Sequence, residues 1–423
     1  MTTRLTKQLP GDLLLSLSAA PGLVLRSIEE KYSFAPIEST AKLAGVTRFQ
    51  NYDILRLSPD GKRVAAVSSY NSSTSFYIFK LDDGGNTFLQ SVGSIGAITD
   101  VAWSPDSLEV AVASASAPYI YRFDALTLSQ LGAFVTAPSV RVNTVSYSND
   151  GKYLFAGVYG TTNGNNDAGF WVYSRQLNDL VSLAGQTMLI TGDVAMFPNG
   201  RFILALGRAS GTQVRVFDAL DFSKPAYNLG TSLNDVGVAS KRVSFSADGE
   251  YIVICGSSAP FLRVAKIDYG AGAYNNISLT AQTLTGETTL TGFVPYRMTW
   301  LSPRVFAFVD TAGLKKGTIN ADGTVSIASV LDAVQGITGI VGLPNYARRK
   351  FAGTVEDANG LPLKREIRVV DKETGRYLAS GYSSETTGAF EVIVTSSNPA
   401  IVYCVGEGGE LTKLEDGIIP VPI

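Results

Sequence analysis

Apolar residues in this chain fall into short runs, each bounded by Gly, Pro, Asn, Asp or Ser, a pattern that predicts strands and tight turns. Ile54-Leu55-Arg56-Leu57 is followed by Ser58-Pro59-Asp60-Gly61 and then by Val64-Ala65-Ala66-Val67. The same order returns around Ser104-Pro105-Asp106-Ser107, Ser148-Asn149-Asp150-Gly151, Phe197-Pro198-Asn199-Gly200, Ser246-Ala247-Asp248-Gly249 and, in degraded form, Ser302-Pro303-Arg304. Successive turns are 46, 44, 49, 49 and 56 residues apart, with the longest interval carrying extra chain between Gly270 and Leu290. In each turn Pro presets φ, Asp or Asn caps the backbone through its side chain, and Gly takes the left-handed conformation. A third strand follows each pair, ending on Asp at Asp82, Asp124, Asp218 and Asp268.

Four short strands per repeat of about 45 residues make a β-propeller blade. The expected fold is therefore all-β, a propeller over residues 1–345 followed by a small β-sandwich over 346–423. Six repeats are clear, and seven blades are favoured over six. The seventh would combine N-terminal strands at Gly22–Ile28, Lys31–Ile37 and Thr40–Val46 with one at Gly339–Asn345. Sharing a blade between distant parts of the chain hides sheet edges that would otherwise pair with other molecules.

The strand–turn–strand–strand–Asp repeat resembles the WD-repeat and YVTN-type propellers over about residues 20–345. It lacks the Gly-His pair and the Trp-Asp end of WD repeats, which places the resemblance nearer the YVTN type. The buried Asp-His network of the WD family cannot form, so the blades are expected to hold by turns and apolar packing. Beyond a basic linker, Pro344–Lys350, the pattern of Gly353, Val355, Asp357, Asn359-Gly360, Pro362, Gly375, Gly388 and Phe390 resembles the carboxypeptidase-regulatory-like (prealbumin-like) modules. That resemblance implies a non-catalytic spacer, adhesion or docking unit. The terminal Ile418-Ile419-Pro420-Val421-Pro422-Ile423 is similar to the closing module of tailed-bacteriophage virion proteins.

Composition narrows the chemistry. The 423 residues include no histidine, which removes imidazole acid–base catalysis, His-ligated metal sites and imidazole pH switching. Charged residues make up 17% and the net charge is −2, leaving no electrostatic footprint for nucleic acid or an anionic membrane. No apolar stretch is long enough for a transmembrane helix. Arg4 and Lys7 before Leu13-Leu14-Leu15 faintly resemble a signal peptide, but Asp12 and Pro21 disagree with that reading, and none is expected. Cys255 and Cys404 sit in apolar runs and read as small buried strand residues; Trp103, Trp171 and Trp300 read as packing between blades.

No catalytic, cofactor or metal-binding residue is expected. Asp60, Asp106, Asp150 and Asp248 recur at one position, but turn capping accounts for them better than a metal ring. The structural turn residues are thus Pro59, Asp60, Gly61, Pro105, Asp106, Asp150, Gly151, Pro198, Gly200, Asp248 and Gly249. Asn320-Ala321-Asp322-Gly323 lacks the later ligands of a calcium loop and reads as a hairpin turn. A polar insertion with Thr161, Asn163, Asn165, Asn166 and Asp167 is the candidate partner-contact loop. The expected function is a non-enzymatic structural or adhesion protein of a phage tail or tail tip. Its partners would be other virion proteins in multiple copies, and a host receptor or glycan is a further candidate. The alternatives are a secreted or periplasmic bacterial scaffold, a lectin-like propeller and a lactonase-type hydrolase.

Overall fold

In a computed structural model, the described residues are 12–17, 20–27, 52–68, 75–80, 88–90, 95–135, 141–159, 170–176, 179–184, 191–207, 214–229, 242–246, 248–256, 261–270, 274–286, 290, 298–310, 313–332, 337–342, 349–357, 361–371, 377–394, 400–405, 411–418 and 421–422. Six blades follow one another along the chain, the first five each of four antiparallel strands in sequence order. Their inner strands are Tyr52–Leu57, Ile98–Trp103, Arg141–Tyr147, Thr191–Met196, Arg242–Phe245 and Met298–Ser302. The second strand of each blade has neighbours on both faces. Glu109–Ser114, Phe202–Gly207 and Tyr251–Cys255 are buried at every position, which is why these strands read as near-continuous apolar runs.

The core lies between blades rather than within them. Val67, Phe76 and Ile78 of the first blade pack with Val101, Trp103 and Phe123 of the second. Corresponding clusters join the second to the third, and so on to the sixth, where Val264 and Tyr251 meet Trp300, Phe306 and Phe308. Trp103, Trp171 and Trp300 all belong to these inter-blade cores. Cys255 is buried in the fifth blade and Cys404 near the C-terminus; neither forms a disulfide.

The repeated turn has one geometry. In the first blade Ser58 Oγ donates to Asp60 Oδ1, which also accepts the Lys62 N–H at 3.0 Å, while Ser58 Oγ accepts the Arg63 N–H at 2.9 Å. The second, third and fifth blades repeat it with Ser104 and Asp106, Ser148 and Asp150, and Ser246 and Asp248. Gly61, Gly151, Gly200 and Gly249 hold φ between 64° and 71°, and Ser107 accepts the same conformation at 60°. At Gly249 an added methyl would meet Pro198 of the preceding blade at 3.0 Å. Gly249→Ala should therefore cost about 1–2 kcal/mol, measured as a lowered urea midpoint at unchanged slope. A second Asp caps the turn after the third strand: Asp124 accepts from Leu126 and Thr127, and Asp218 from Leu220.

The sixth blade gains a fifth strand from the long connection, with Leu284–Gly286 running parallel to Val325–Asp332. Asn320–Gly323 makes the hairpin turn ahead of that strand, with Gly323 at φ 85°. Between the first and sixth blades stands a three-stranded sheet: Ala20–Ser27, Asp12–Leu17 and Ile337–Gly342. Its last strand lies against the inner strands of both neighbours. The expected N-terminal strands need correction here. Gly22–Ile28 corresponds to Ala20–Ser27, but its partner is Asp12–Leu17, the run that resembled a leader. The expected strands Lys31–Ile37 and Thr40–Val46 lie outside the described residues.

Near the C-terminus, Arg349–Thr354, Ala389–Val394 and Val421–Pro422 form one small sheet. Tyr377–Tyr382, Glu366–Asp371, Ala400–Val405 and Leu411–Ile418 form a second. Val355, Ile367, Val369, Val392 and Val402 make a buried cluster from the two. Gly388, at φ 65°, passes so close to the Val355 carbonyl oxygen that a methyl would sit 2.3 Å away. The basic linker ends earlier than expected: Arg349 and Lys350 already pair with Val394 and Ile393.

Candidate functional site

The inner strands of the six blades surround a cavity of about 310 Å³. Along each strand one residue stands four positions before the first residue of the turn; in the first five blades this column reads Ile54, Asp100, Thr144, Asp193 and Arg242. The strand register shifts just before the column at Tyr52/Ile54, Ile98/Asp100, Val142/Thr144 and Thr191/Asp193. A bulge there sharpens the local twist and re-aims the following side chain.

Four of these residues, from four blades, meet in one network. Arg242 Nη1 donates to Asp100 Oδ2 at 2.7 Å, to Thr144 Oγ1 at 3.0 Å and to Asp193 Oδ1 at 3.2 Å. The Thr144 hydroxyl lies 2.9 Å from Asp100 and 2.6 Å from Asp193, and its single proton can serve only one at a time. The backbone N–H groups of Val145 and Val243 donate to Asp100 and Asp193. Asp100 and Asp193 are 3% and 5% exposed, so neither charge is solvated. Burial alone would raise Asp100, but Arg242 and Arg56 hold its carboxyl below the ordinary range. Burial pushes Asp193 up, Asp100 adds to that, and Arg242 only partly opposes it.

A second network joins the second and third blades. Glu109, 2% exposed, takes Arg122 Nε and Nη2, the Tyr147 hydroxyl and Arg175 Nε. Arg175 also reaches Asp106 at 2.9 Å, and its guanidinium lies over the Tyr147 ring. Arg122 and Arg175 keep Glu109 below the usual carboxylate range despite burial, and burial with Glu109 pushes the Tyr147 hydroxyl well up. The expectation that turns and apolar packing alone hold the blades therefore needs correction: buried Asp/Glu–Arg pairs span them too.

The turn residues Pro59 to Gly61, Pro105, Asp106, Asp150, Gly151, Pro198, Gly200, Asp248 and Gly249 sit in the repeated turns described above. They do not converge on the channel. Asp106 also pairs with a residue of opposite charge in the neighbouring blade, Arg175. The candidate loop with Thr161, Asn163, Asn165, Asn166 and Asp167 lies outside the described residues. Among the described residues, no group of three or more Asp, Glu or Cys is arranged to hold a metal. The channel network was missed because no single repeat carries more than one of its members. Aligning the repeats on their turns would have exposed the column.

A family model described as eukaryotic translation initiation factor eIF2A matches residues 54–217, less than half of the chain. No curated protein matches the sequence. Among solved structures, the β-propeller domain of Cps50 (Swd1) from Myceliophteria thermophila superposes with a TM-score of 0.56 at 11% identity, covering 82% of this chain and 98% of that one. The periplasmic gluconolactonase PpgL of Pseudomonas aeruginosa gives 0.55 at 17% identity, covering 78% and 98%. The WD40 repeats of RRP9 give 0.52 at 12%, covering 82% and 95%. At such identities the likeness shows the fold alone: this chain carries a WD40-like β-propeller.

Proposed function

We propose that this protein is a non-enzymatic binding scaffold, a propeller whose faces engage other proteins. The observation that carries the reading is the self-neutralised channel. Asp100 and Asp193, which a lactonase-type enzyme would offer to a metal, are instead bound by Arg242, Thr144 and backbone N–H groups. A cation entering there would have to displace a guanidinium already between two carboxylates. The WD40 propellers among the structural neighbours agree with a scaffold; the gluconolactonase among them makes hydrolysis the reading to test against it.

In its finer form the scaffold belongs to a tailed-phage virion, with the C-terminal unit docking on the particle. Support for that setting comes from the C-terminal sequence motifs alone. Purified protein should leave simple lactones unhydrolysed in Ca²⁺, Mg²⁺, Mn²⁺ or Zn²⁺. Turnover that Asp193→Asn abolishes would overturn the scaffold. Detection of the intact chain in purified phage particles, at a copy number matching tail symmetry, would support the virion setting. A mature N-terminus near residue 21 in a bacterial periplasm would overturn that setting and leave the scaffold in place.

A further inference from the structure

Two residues beyond the channel column stands a second ring, which reads Arg56, Ala102, Ser146, Ala195 and Ser244 in the first five blades. Side chains two apart share a strand face, so Ser146 lies on the face of Thr144 and Ser244 on that of Arg242. All five ring residues line the cavity and are half-buried. Four of them are alanine or serine, and these small side chains leave the channel open beside the Asp100–Thr144–Asp193–Arg242 network. Among the described residues, neither the Ser146 nor the Ser244 hydroxyl has a hydrogen-bond partner. Arg56 donates from Nη1 to the Leu55 carbonyl oxygen at 3.2 Å and from Nη2 to Asp100 Oδ1 at a long 3.5 Å. Its remaining N–H groups have no partner among the described residues.

The contacts of the network place these groups around one point. The Val145 nitrogen, next to Ser146, lies 3.2 Å from Asp100 Oδ2, and the Val243 nitrogen, next to Ser244, lies 2.8 Å from Asp193 Oδ2. One atom, Arg242 Nη1, joins the two carboxylates. Arg56, Ser146 and Ser244 therefore rim a single network. Their chemistry selects the occupant: guanidinium only donates, carboxylate only accepts, and a serine hydroxyl does both. A hydroxyl group set between Arg56 and Asp100 Oδ1 would accept from one and donate to the other. Arg56 and Arg242 match Asp100 and Asp193 in number, so an ionised occupant would bring an uncompensated charge into the channel. The volume, about 310 Å³, lies at the small end of small-molecule sites and suits one sugar ring rather than a chain of them.

We propose that the channel cavity binds a small neutral polyol, the size of one sugar ring, through Arg56, Asp100 and the Ser146 and Ser244 hydroxyls. This adds a small-molecule site to the scaffold and requires no turnover, so the lactone assay and the test below can fail independently. Saturation-transfer NMR on the full chain reads binding directly, with glucose, galactose and myo-inositol as probes and acetate and inorganic phosphate as charged competitors. At least one polyol should give a saturable signal that neither anion displaces. Ala195→Leu, which fills the cavity, should abolish that signal, and Arg56→Gln should weaken binding by about tenfold, the scale of one charged hydrogen bond. Ser146→Ala removes a hydroxyl that holds nothing in the fold, so it should keep the parent's urea midpoint while weakening binding about threefold or more. Three outcomes would overturn the proposal. Either no polyol binds, so that water alone fills the channel; or Ala195→Leu and Ser146→Ala bind like the parent, which places the polyol elsewhere; or acetate or phosphate displaces it, which makes this an anion site.

Discussion

Arg242→Met should lower the unfolding free energy by about 3–5 kcal/mol at pH 7, read from urea midpoints. The cost does not come from lost packing, because methionine retains much of the side-chain length. It comes from Asp100 and Asp193, which are buried and lose the cation that bridges them. Without Arg242 the folded-state pKa of each carboxyl should rise above its unfolded value. A group raised in this way stabilises below its unfolded pKa, and that contribution disappears as pH rises through the folded pKa. The penalty should therefore be greater at pH 7 than at pH 5. Adding Asp193→Asn to Arg242→Met should recover part of the loss, since one of the two stranded charges is gone. Equal penalties at the two pH values would mean that the network contributes by shape rather than by charge.

The parent protein already contains opposing terms. Asp100, held low, stabilises above its unfolded pKa and loses that contribution as pH falls. Asp193, pushed up, behaves in the opposite sense. Their opposition follows from position: Asp100 has Arg242 and Arg56 beside it, whereas Asp193 has Arg242 and the Asp100 charge.

What the sequence made legible was what is local. Ser58, Asp60 and Gly61 specify a turn within four residues, and the structure builds it from hydrogen bonds among those residues and their immediate neighbours. The apolar second strands were legible for the same reason, since burial on both faces leaves a continuous run. What was missed depends on distance along the chain. Asp12–Leu17 pairs with Ile337–Gly342, and nothing in Leu13-Leu14-Leu15 records a partner more than three hundred residues away. Asp100 and Arg242 are 142 residues apart, and each taken alone is only a charge inside a strand. The absent histidines led to an expectation of blades without a buried ionic network. Asp, Glu and Arg build one here instead, tied to different partners than an imidazole would require.

Glu109→Gln should cost about 3 kcal/mol at pH 7, the second-largest loss expected of any single substitution considered. The carboxylate binds Arg122 through both oxygens, receives the Tyr147 hydroxyl and holds Arg175 Nε at 2.9 Å. Glutamine fills the same volume, but it offers one acceptor oxygen and turns an NH₂ toward guanidinium donors. Arg122, 7% exposed, is left without its bidentate partner; Arg175 keeps Asp106 and loses less. Tyr147→Phe removes only one hydrogen bond and should cost about 1–2 kcal/mol, which separates the ionic part from the rest. The pH dependence has a defined sign. Because Glu109 is held below its unfolded pKa, its contribution is complete above that value and is lost as pH falls through the folded one. The gap between parent and Glu109→Gln should consequently narrow as the pH is lowered into the carboxylate range. Arg242→Met also narrows its gap with acid, but for the opposite reason: there the variant recovers by protonating stranded carboxyls, while here the parent loses its advantage. Following both variants and the parent from pH 7 to pH 4 distinguishes them, since Arg242→Met should gain stability over that span and Glu109→Gln should not.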